Sequence, residues 1–188
     1  MKYKFIEEEI KYTGKELSAH WIYKNFNIEG SAVVSFIGEC DVELSNMLDI
    51  EDVLNNEPIY SKKMLHFIAE EFNIPLIEGV LRQRLLVCAA KEVLENYLSS
   101  GERILRKGDD LYYKDGKLSV SIAAKSLNSV LIHLGLNIDS NGAPVKASGL
   151  KTDMNLDDFY KIAGDIMNYY CSESEQITRA SCKVRGVY

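Results

Sequence analysis

The residues best suited to chemistry crowd into the run from Arg106 to Ser119, Arg-Lys-Gly-Asp-Asp-Leu-Tyr-Tyr-Lys-Asp-Gly-Lys-Leu-Ser. Asp115-Gly116 is a strong hairpin signal. The turn brings Asp110, on the strand before it, close to Lys117 at the start of the strand after it. A carboxylate and an ammonium held side by side can hold a phosphate or carboxylate ligand together with its metal. The plainer alternative is a surface hairpin whose solvated charge pair contributes little. Because successive strand residues point to opposite faces, at most one of Asp109 and Asp110 is expected to face a given cleft.

Elsewhere the chemistry is sparse. No phosphate-loop, dinucleotide-binding or nucleophile-elbow motif occurs. The three histidines, His20, His66 and His133, are far apart in sequence. Each reads first as a structural histidine, and His133 stands out because it lies within the central strand region. Cys40, Cys88, Cys171 and Cys182 form no C-x-x-C pair and have no histidine at zinc-finger spacing. They read as reduced, mostly buried thiols of a cytoplasmic protein.

The elements that must position these groups follow from periodicity and punctuation. Tyr3 and Phe5 alternate with charged residues, predicting a first strand within 2–12. Thr13 and Glu16 have capping-box spacing, predicting a helix from there to about Phe26. The β-branched run 32–37 predicts a strand ended by Gly38. A short helix is expected over 45–56, stopped by Pro58. Residues 61–73 fit helix or strand, with the spacing leaning to helix. Residues 79–98 are the clearest helix. Three strands follow over 103–138, a loop over 139–152, and a last helix over 155–170 with a polar tail behind it. The sum is a single α+β domain over 1–188, with an antiparallel meander at its centre.

Composition narrows the partners. Lys and Arg number 22 against 28 Asp and Glu, for a net charge of −6. That argues against duplex DNA, which needs a basic footprint. No apolar run approaches the roughly 18–20 residues of a membrane helix. The opening MKYKFIEEEIKYTGKE lacks the apolar segment of a secretory signal. At 46% hydrophobic and 27% charged, the chain has the balance of an ordinary globular protein.

The segment DDLYYKDGKLSVSIA, followed by VLIHLGLNI, resembles the core of the biotin and lipoate protein ligases. In those families a K-W-P-N-D segment leads into a strand, a hairpin carries the catalytic lysine, and the next strand carries I-G-x-G-I-N. On that pattern Arg106 falls on the first Lys, Gly108 on the Pro, Asp109 on the Asn and Asp110 on the Asp. Lys117 falls on the lysine that touches the acid carboxylate and the acyl-adenylate phosphate. Gly135 and Asn137 fall on the Gly and Asn of the last strand.

The resemblance implies a small carboxylic acid as ligand, an acceptor protein, and ATP with Mg2+ as cofactors. Lys117 would then hold the carboxylate, Asp110 would orient Lys117 or the Mg2+, and Asn137 would complete the site. Two departures stand out. The equivalent of the ligases' Gly/Arg loop, about residues 36–62, has one glycine, Gly38, and no arginine. Val120 stands where a small residue is preferred. Arg82 and Arg84 are the candidates to replace the missing phosphate contacts. In the related octanoyl transferases a Cys follows the last strand, and Ser148 lies near that place; a serine there needs a base, and Lys117 or Lys146 is the candidate.

Over nearly its whole length the chain is also similar to a mainly archaeal family, domain of unknown function 366. The passages that carry this are YTGKELSAHW, SFIGECDV, MLHFIAEEFN, VLRQRLL, RKGDDLYY, GAPVKASGL and CKVRGV. The resemblance implies the class II aminoacyl-tRNA synthetase and biotin synthetase fold, with a mostly antiparallel central sheet packed by helices. Residues 64–72 then become a strand. An activity as a small-carboxylic-acid activating ligase or acyltransferase stands against a binding module that kept the pocket and lost the phosphate loop. The apolar first strand and long sheet also permit an edge-to-edge dimer.

Overall fold

A computed structural model describes residues 1–187. Its main sheet has five strands. The edge strand β1 (Lys2–Phe5) runs parallel to β2 (Ala32–Val42). Next come β3 (Ile59–Phe72), β8 (Ser129–Asn137) and β7 (Ser119–Lys125), each antiparallel to its neighbour. A second, three-stranded sheet joins β4 (Ile104–Lys107), β5 (Asp110–Tyr113) and β6 (Gly116–Lys117). The helices are α1 (Trp21–Phe26), α2 (Ile50–Asn55), α3 (Leu76–Glu95) and α4 (Phe159–Cys182).

Two apolar layers sandwich the main sheet. On one face Leu65, Phe67, Ile132 and Leu134 pack against α3 and α4. On the other, Val34, Phe36, Met64 and Ile68 pack against Ile6, Tyr12 and Ile22 of the N-terminal segment. β3 is therefore buried on both faces along most of its length. A strand buried on both faces loses its period-2 signature. That is why residues 61–73, whose spacing leans to helix, form the central strand instead. Each fully buried Leu, Ile or Phe contributes about 1.5–3 kcal/mol, so these layers outweigh local preference.

Other boundaries move for equally local reasons. Thr13 and Glu16 make one arm of the capping box, Thr13 N donating to Glu16 Oε2 at 2.7 Å, while Thr13 Oγ1 donates to the same carboxylate instead of accepting from the Glu16 N–H, and only turns follow until Trp21. Gly14 at φ 88° and His20 at φ 62° interrupt the helical path. The His20 N–H instead donates to the buried Glu70 carboxylate at 2.8 Å. Gly38 does not end β2; it lies inside the strand beside a register shift. A Cβ there would sit 1.8 Å from the Ile10 carbonyl oxygen, so glycine lets the N-terminal segment cross the sheet. The last helix runs twelve residues past Tyr170, to Cys182. β4–β6 form their own sheet rather than the centre of the main one. All four cysteines are free, and among the described residues no helix is long and apolar enough to cross a membrane.

Candidate functional site

The small sheet hands the chain to the main sheet at Lys117. Gly116 and Lys117 pair with Tyr113 and Tyr112 of β5. Leu118 N still donates to Leu111 O at 2.8 Å. One residue later the Ser119 hydroxyl accepts from Leu111 N at 2.8 Å, replacing the ladder, and β7 turns to pair with β8. A returning segment closes the other side of the switch: Lys117 N donates to Lys146 O at 2.9 Å, and Ser148 N to Lys117 O at 3.0 Å. Gly116 makes this approach feasible, because a Cβ there would lie 2.2 Å from Ser148 Oγ and 2.6 Å from the Ala147 carbonyl carbon.

Lys117 Nζ reaches into a cleft of about 530 Å³ and pairs with Asp110 Oδ2 at 3.0 Å. Asn137 fixes the backbone beneath it: its Nδ2 donates to Lys117 O at 3.2 Å, and its own N–H to Leu118 O at 2.9 Å. Asp109 and Asp110 both line the cleft, against the expected alternation. The reason is that Asp109 lies in the β4–β5 turn, where Gly108 at φ 65° resets the backbone direction. Gln83 of α3 donates to Asp109 Oδ2 at 3.0 Å, and Arg84 pairs with Oδ1 at 3.4 Å.

The floor is a stack of rings. Tyr12 lies over His133 with centroids 3.9 Å apart. His133 Nε2 lies 3.1 Å from His66 Nδ1, and His66 Nε2 lies 3.3 Å from Gly38 O. A carbonyl only accepts, so His66 carries its proton on Nε2. Burial pushes the His66 imidazole down to about 3 and His133 well below its ordinary value, so both rings are neutral. His66 Nδ1 is then an acceptor, His133 Nε2–H its donor, and His133 Nδ1 a bare lone pair. Beside them, burial pushes the Cys40 thiol up to about 12, leaving it protonated and a poor nucleophile.

The loop between β2 and β3 forms the cleft's outer wall. It brings Asp49, Asp52 and Glu57 to the lining. Burial, then Asp49 and Glu57, raises the Asp52 carboxyl, with Lys117 acting in the opposite direction. Among the described residues Lys117 is the one cationic side chain lining the cleft.

The other sequence candidates lie apart from the cleft. Arg106 is exposed and donates to the Gly108 carbonyl. Arg82 pairs with Glu78 at 3.0 Å and Glu71 at 3.7 Å, and Arg84 is held on Asp109. Gly135 sits in β8 under Met64, whose Sδ would be 3.1 Å from a Cβ. The Ser148 hydroxyl donates to Tyr113 O at 2.8 Å and is buried, so it clamps the hairpin. Sequence reasoning missed Tyr12, His66 and the acidic wall. They meet only through strand pairing and the crossing at Gly38; the one available signal was a histidine in each of two adjacent apolar strands.

This arrangement of sheets and helices is the fold of the biotin and lipoate protein ligases, a class II synthetase-like α+β fold. Biotin protein ligase from Aquifex aeolicus, in complex with biotin and ATP, superposes with a TM-score of 0.61 at 15% identity, over 91% of this chain and 69% of that one. A candidate lipoate protein ligase from T. acidophilum with bound lipoic acid gives 0.58 at 10% identity, over 92% and 86%. At such identities the likeness establishes the fold alone.

The chain itself belongs to the family described as "Domain of unknown function (DUF366)", matched over residues 1–185. An uncharacterized protein of Methanocaldococcus jannaschii is 40% identical over 181 residues, 93% of this chain and 80% of that one. A protein of unknown function from Pyrococcus horikoshi superposes with a TM-score of 0.89 at 35% identity, over 99% and 100%.

Proposed function

We propose that the cleft takes a small carboxylic acid as a preformed acyl thioester and moves its acyl group to an acceptor amine, with Lys117 at the acyl oxygen. The observation that carries this reading is the placement of Lys117. It is fixed at a strand switch by Asn137, paired with Asp110, and directed into a cleft with no other cationic lining among the described residues. Asp110 positions the ammonium; the ammonium takes the charge that develops on the acyl oxygen. The amine nitrogen bonds to the acyl carbon, the C–S bond breaks, and the proton lost by the amine ends on the departing thiolate.

The lining residues do not fit a triphosphate. Phosphate cradles are built from backbone N–H groups, helix N-termini and cations. Here the loop between β2 and β3 carries Asp49, Asp52 and Glu57, and both candidate arginines are committed elsewhere. One oxyanion needs one ammonium; three phosphates among five carboxylates (Asp49, Asp52, Glu57, Asp109, Asp110) need many more donors. No step is therefore assigned to ATP or its Mg2+. That same acidic wall favours a second reading, a module that binds the acid without turning it over.

The test is hydroxamate formation from hydroxylamine and a panel of acyl thioesters, beside the free acids with ATP and Mg2+, for wild type and Lys117→Ala. Hydroxamate from a thioester alone, lost with Lys117, supports acyl transfer. Pyrophosphate release with a free acid would replace it with adenylation. Binding of an acid by calorimetry, without hydroxamate in either arm, would leave the binding module.

A further inference from the structure

The cleft is built for more than a carboxylate. Its wall concentrates negative charge around a single ammonium, and that ammonium already has a partner in Asp110. A simple monoanionic acid would enter this field at an electrostatic loss. Some group on the ligand must answer the wall.

Among the described residues no three His, Cys, Asp or Glu side chains gather closely enough to form a metal cage of their own. The complement is an organic cation.

The floor gives an independent indication. Tyr12 and His133 are only 4% and 3% exposed, and both line the cleft. Neither Tyr12 Oη nor His133 Nδ1 has a hydrogen-bond partner among the described residues. Among the described residues the fully enclosed side-chain polar atoms without a partner are the hydroxyls of Ser35 and Ser174. The Tyr12 and His133 atoms are therefore not fully enclosed, and both residues line the cleft. His133 Nδ1 is a neutral acceptor held by the His66 relay, and it has no donor to meet. A cleft-facing lone pair of this kind offers an acceptor to an N–H or O–H on the ligand.

We infer that the acid taken by this cleft is an amine-bearing carboxylic acid, its carboxyl end on Lys117 and its ammonium against Asp52 and the acceptors around it. The inference rests on the acid-binding reading and adds the ligand's second charge. Asp52 is the wall residue best placed for it. It is half-buried where Asp49 and Glu57 are exposed. Asp52 and Lys117 line the same cleft, so the two ends of one ligand can reach both.

The test is calorimetric titration of the full chain with matched pairs: butyrate and 4-aminobutyrate, hexanoate and 6-aminohexanoate, octanoate and 8-aminooctanoate, with hexylamine as the amine alone. At one length or more, the amino acid is expected to bind at least tenfold tighter than its plain partner. Asp52→Asn should reduce that ratio to under threefold, with the plain acid binding equally well or tighter because one opposing charge is gone. Glu57→Gln, on the exposed rim, serves as a second variant with a smaller reduction. Plain acids binding as well as their amino partners at every length would overturn this inference and leave the acid site standing. No binding by any acid would overturn both. Hexylamine binding as tightly as 6-aminohexanoate, indifferent to Lys117→Ala, would overturn the carboxylate end and so the proposal.

Discussion

His133 donates its Nε2 proton to His66 Nδ1 across 3.1 Å, and His66 passes its own proton to the Gly38 carbonyl at 3.3 Å. Two buried imidazoles thus satisfy each other while neutral, leaving one acceptor, His133 Nδ1, for the cleft. The relay is stiffened on both sides: Tyr12 stacks on His133, and Phe36 lies over His66 with centroids 5.0 Å apart.

This relay makes stability sensitive to acid. In the folded chain burial holds His66 at about 3, against 6.5 unperturbed, and His133 is lowered too. The unfolded chain therefore binds more protons as pH falls through its own histidine pKa. The stabilisation is fully present above about pH 6.5 and is lost as pH drops from there toward 3. Urea midpoints taken from pH 8 to pH 5 should fall below pH 6.5. His66→Gln, which removes one titrating ring, should make that fall shallower; an unchanged slope would show that the histidines do not drive it.

Gly116→Ala tests the strand switch. The added Cβ meets Ser148 Oγ and the Ala147 carbonyl carbon, which is backbone and cannot step aside. Overpacking of this sort costs about 1–3 kcal/mol. The variant should lose that much in denaturant titration. Acid binding should weaken as well, because the segment that clamps Lys117 is the one displaced.

Ser148→Ala separates a clamp from a nucleophile. It removes a buried hydrogen bond to Tyr113 O, and about 1 kcal/mol of stability should go with it. Turnover and acid affinity should stay within twofold of wild type. Loss of turnover with affinity intact would instead return Ser148 to the chemistry.

Glu70→Ala probes what holds the N-terminal segment down. The Glu70 carboxylate accepts from His20 N at 2.8 Å and Ser129 Oγ at 2.7 Å. Removing it leaves the half-buried His20 N–H and the buried Ser129 hydroxyl without this partner, at a cost of about 1–3 kcal/mol. Amide exchange over residues 12–21 should quicken, while α4, packed on the opposite face, keeps its protection.

Asp110→Asn tests the positioning of Lys117. The amide cannot neutralise the ammonium, so Lys117 becomes freer to turn toward a ligand carboxylate. Plain acids should bind with equal or better affinity, while turnover drops because the ammonium is no longer fixed. Weaker acid binding would mean that Asp110 orders the site rather than competes for its cation.

Much of this protein is legible in its residues. The hairpin at Asp115-Gly116 sets Asp110 against Lys117, since turn chemistry is local and two-strand register follows from it. The long helix α3 declares itself by spacing. The order of acidic pair, hairpin lysine and Gly-x-Asn strand points to the ligase-like fold before any coordinate does. What stayed hidden depends on contacts remote in sequence. β3 reads as ambiguous because both of its faces are covered, and burial on both sides erases periodicity. Thr13 and Glu16 bond to each other without a helix following because Gly14 and His20 leave the helical path, and Glu70, fifty residues beyond His20, captures the His20 N–H. Asp109 joins the cleft only because a left-handed Gly108 cancels strand alternation. The site's character was decided by tertiary structure alone: an acidic wall from the β2–β3 loop, two histidines on neighbouring strands, and a tyrosine carried across Gly38. Local sequence sets which strands and turns can exist. Their pairing sets which charges face one another, and that arrangement sets the character of the cleft.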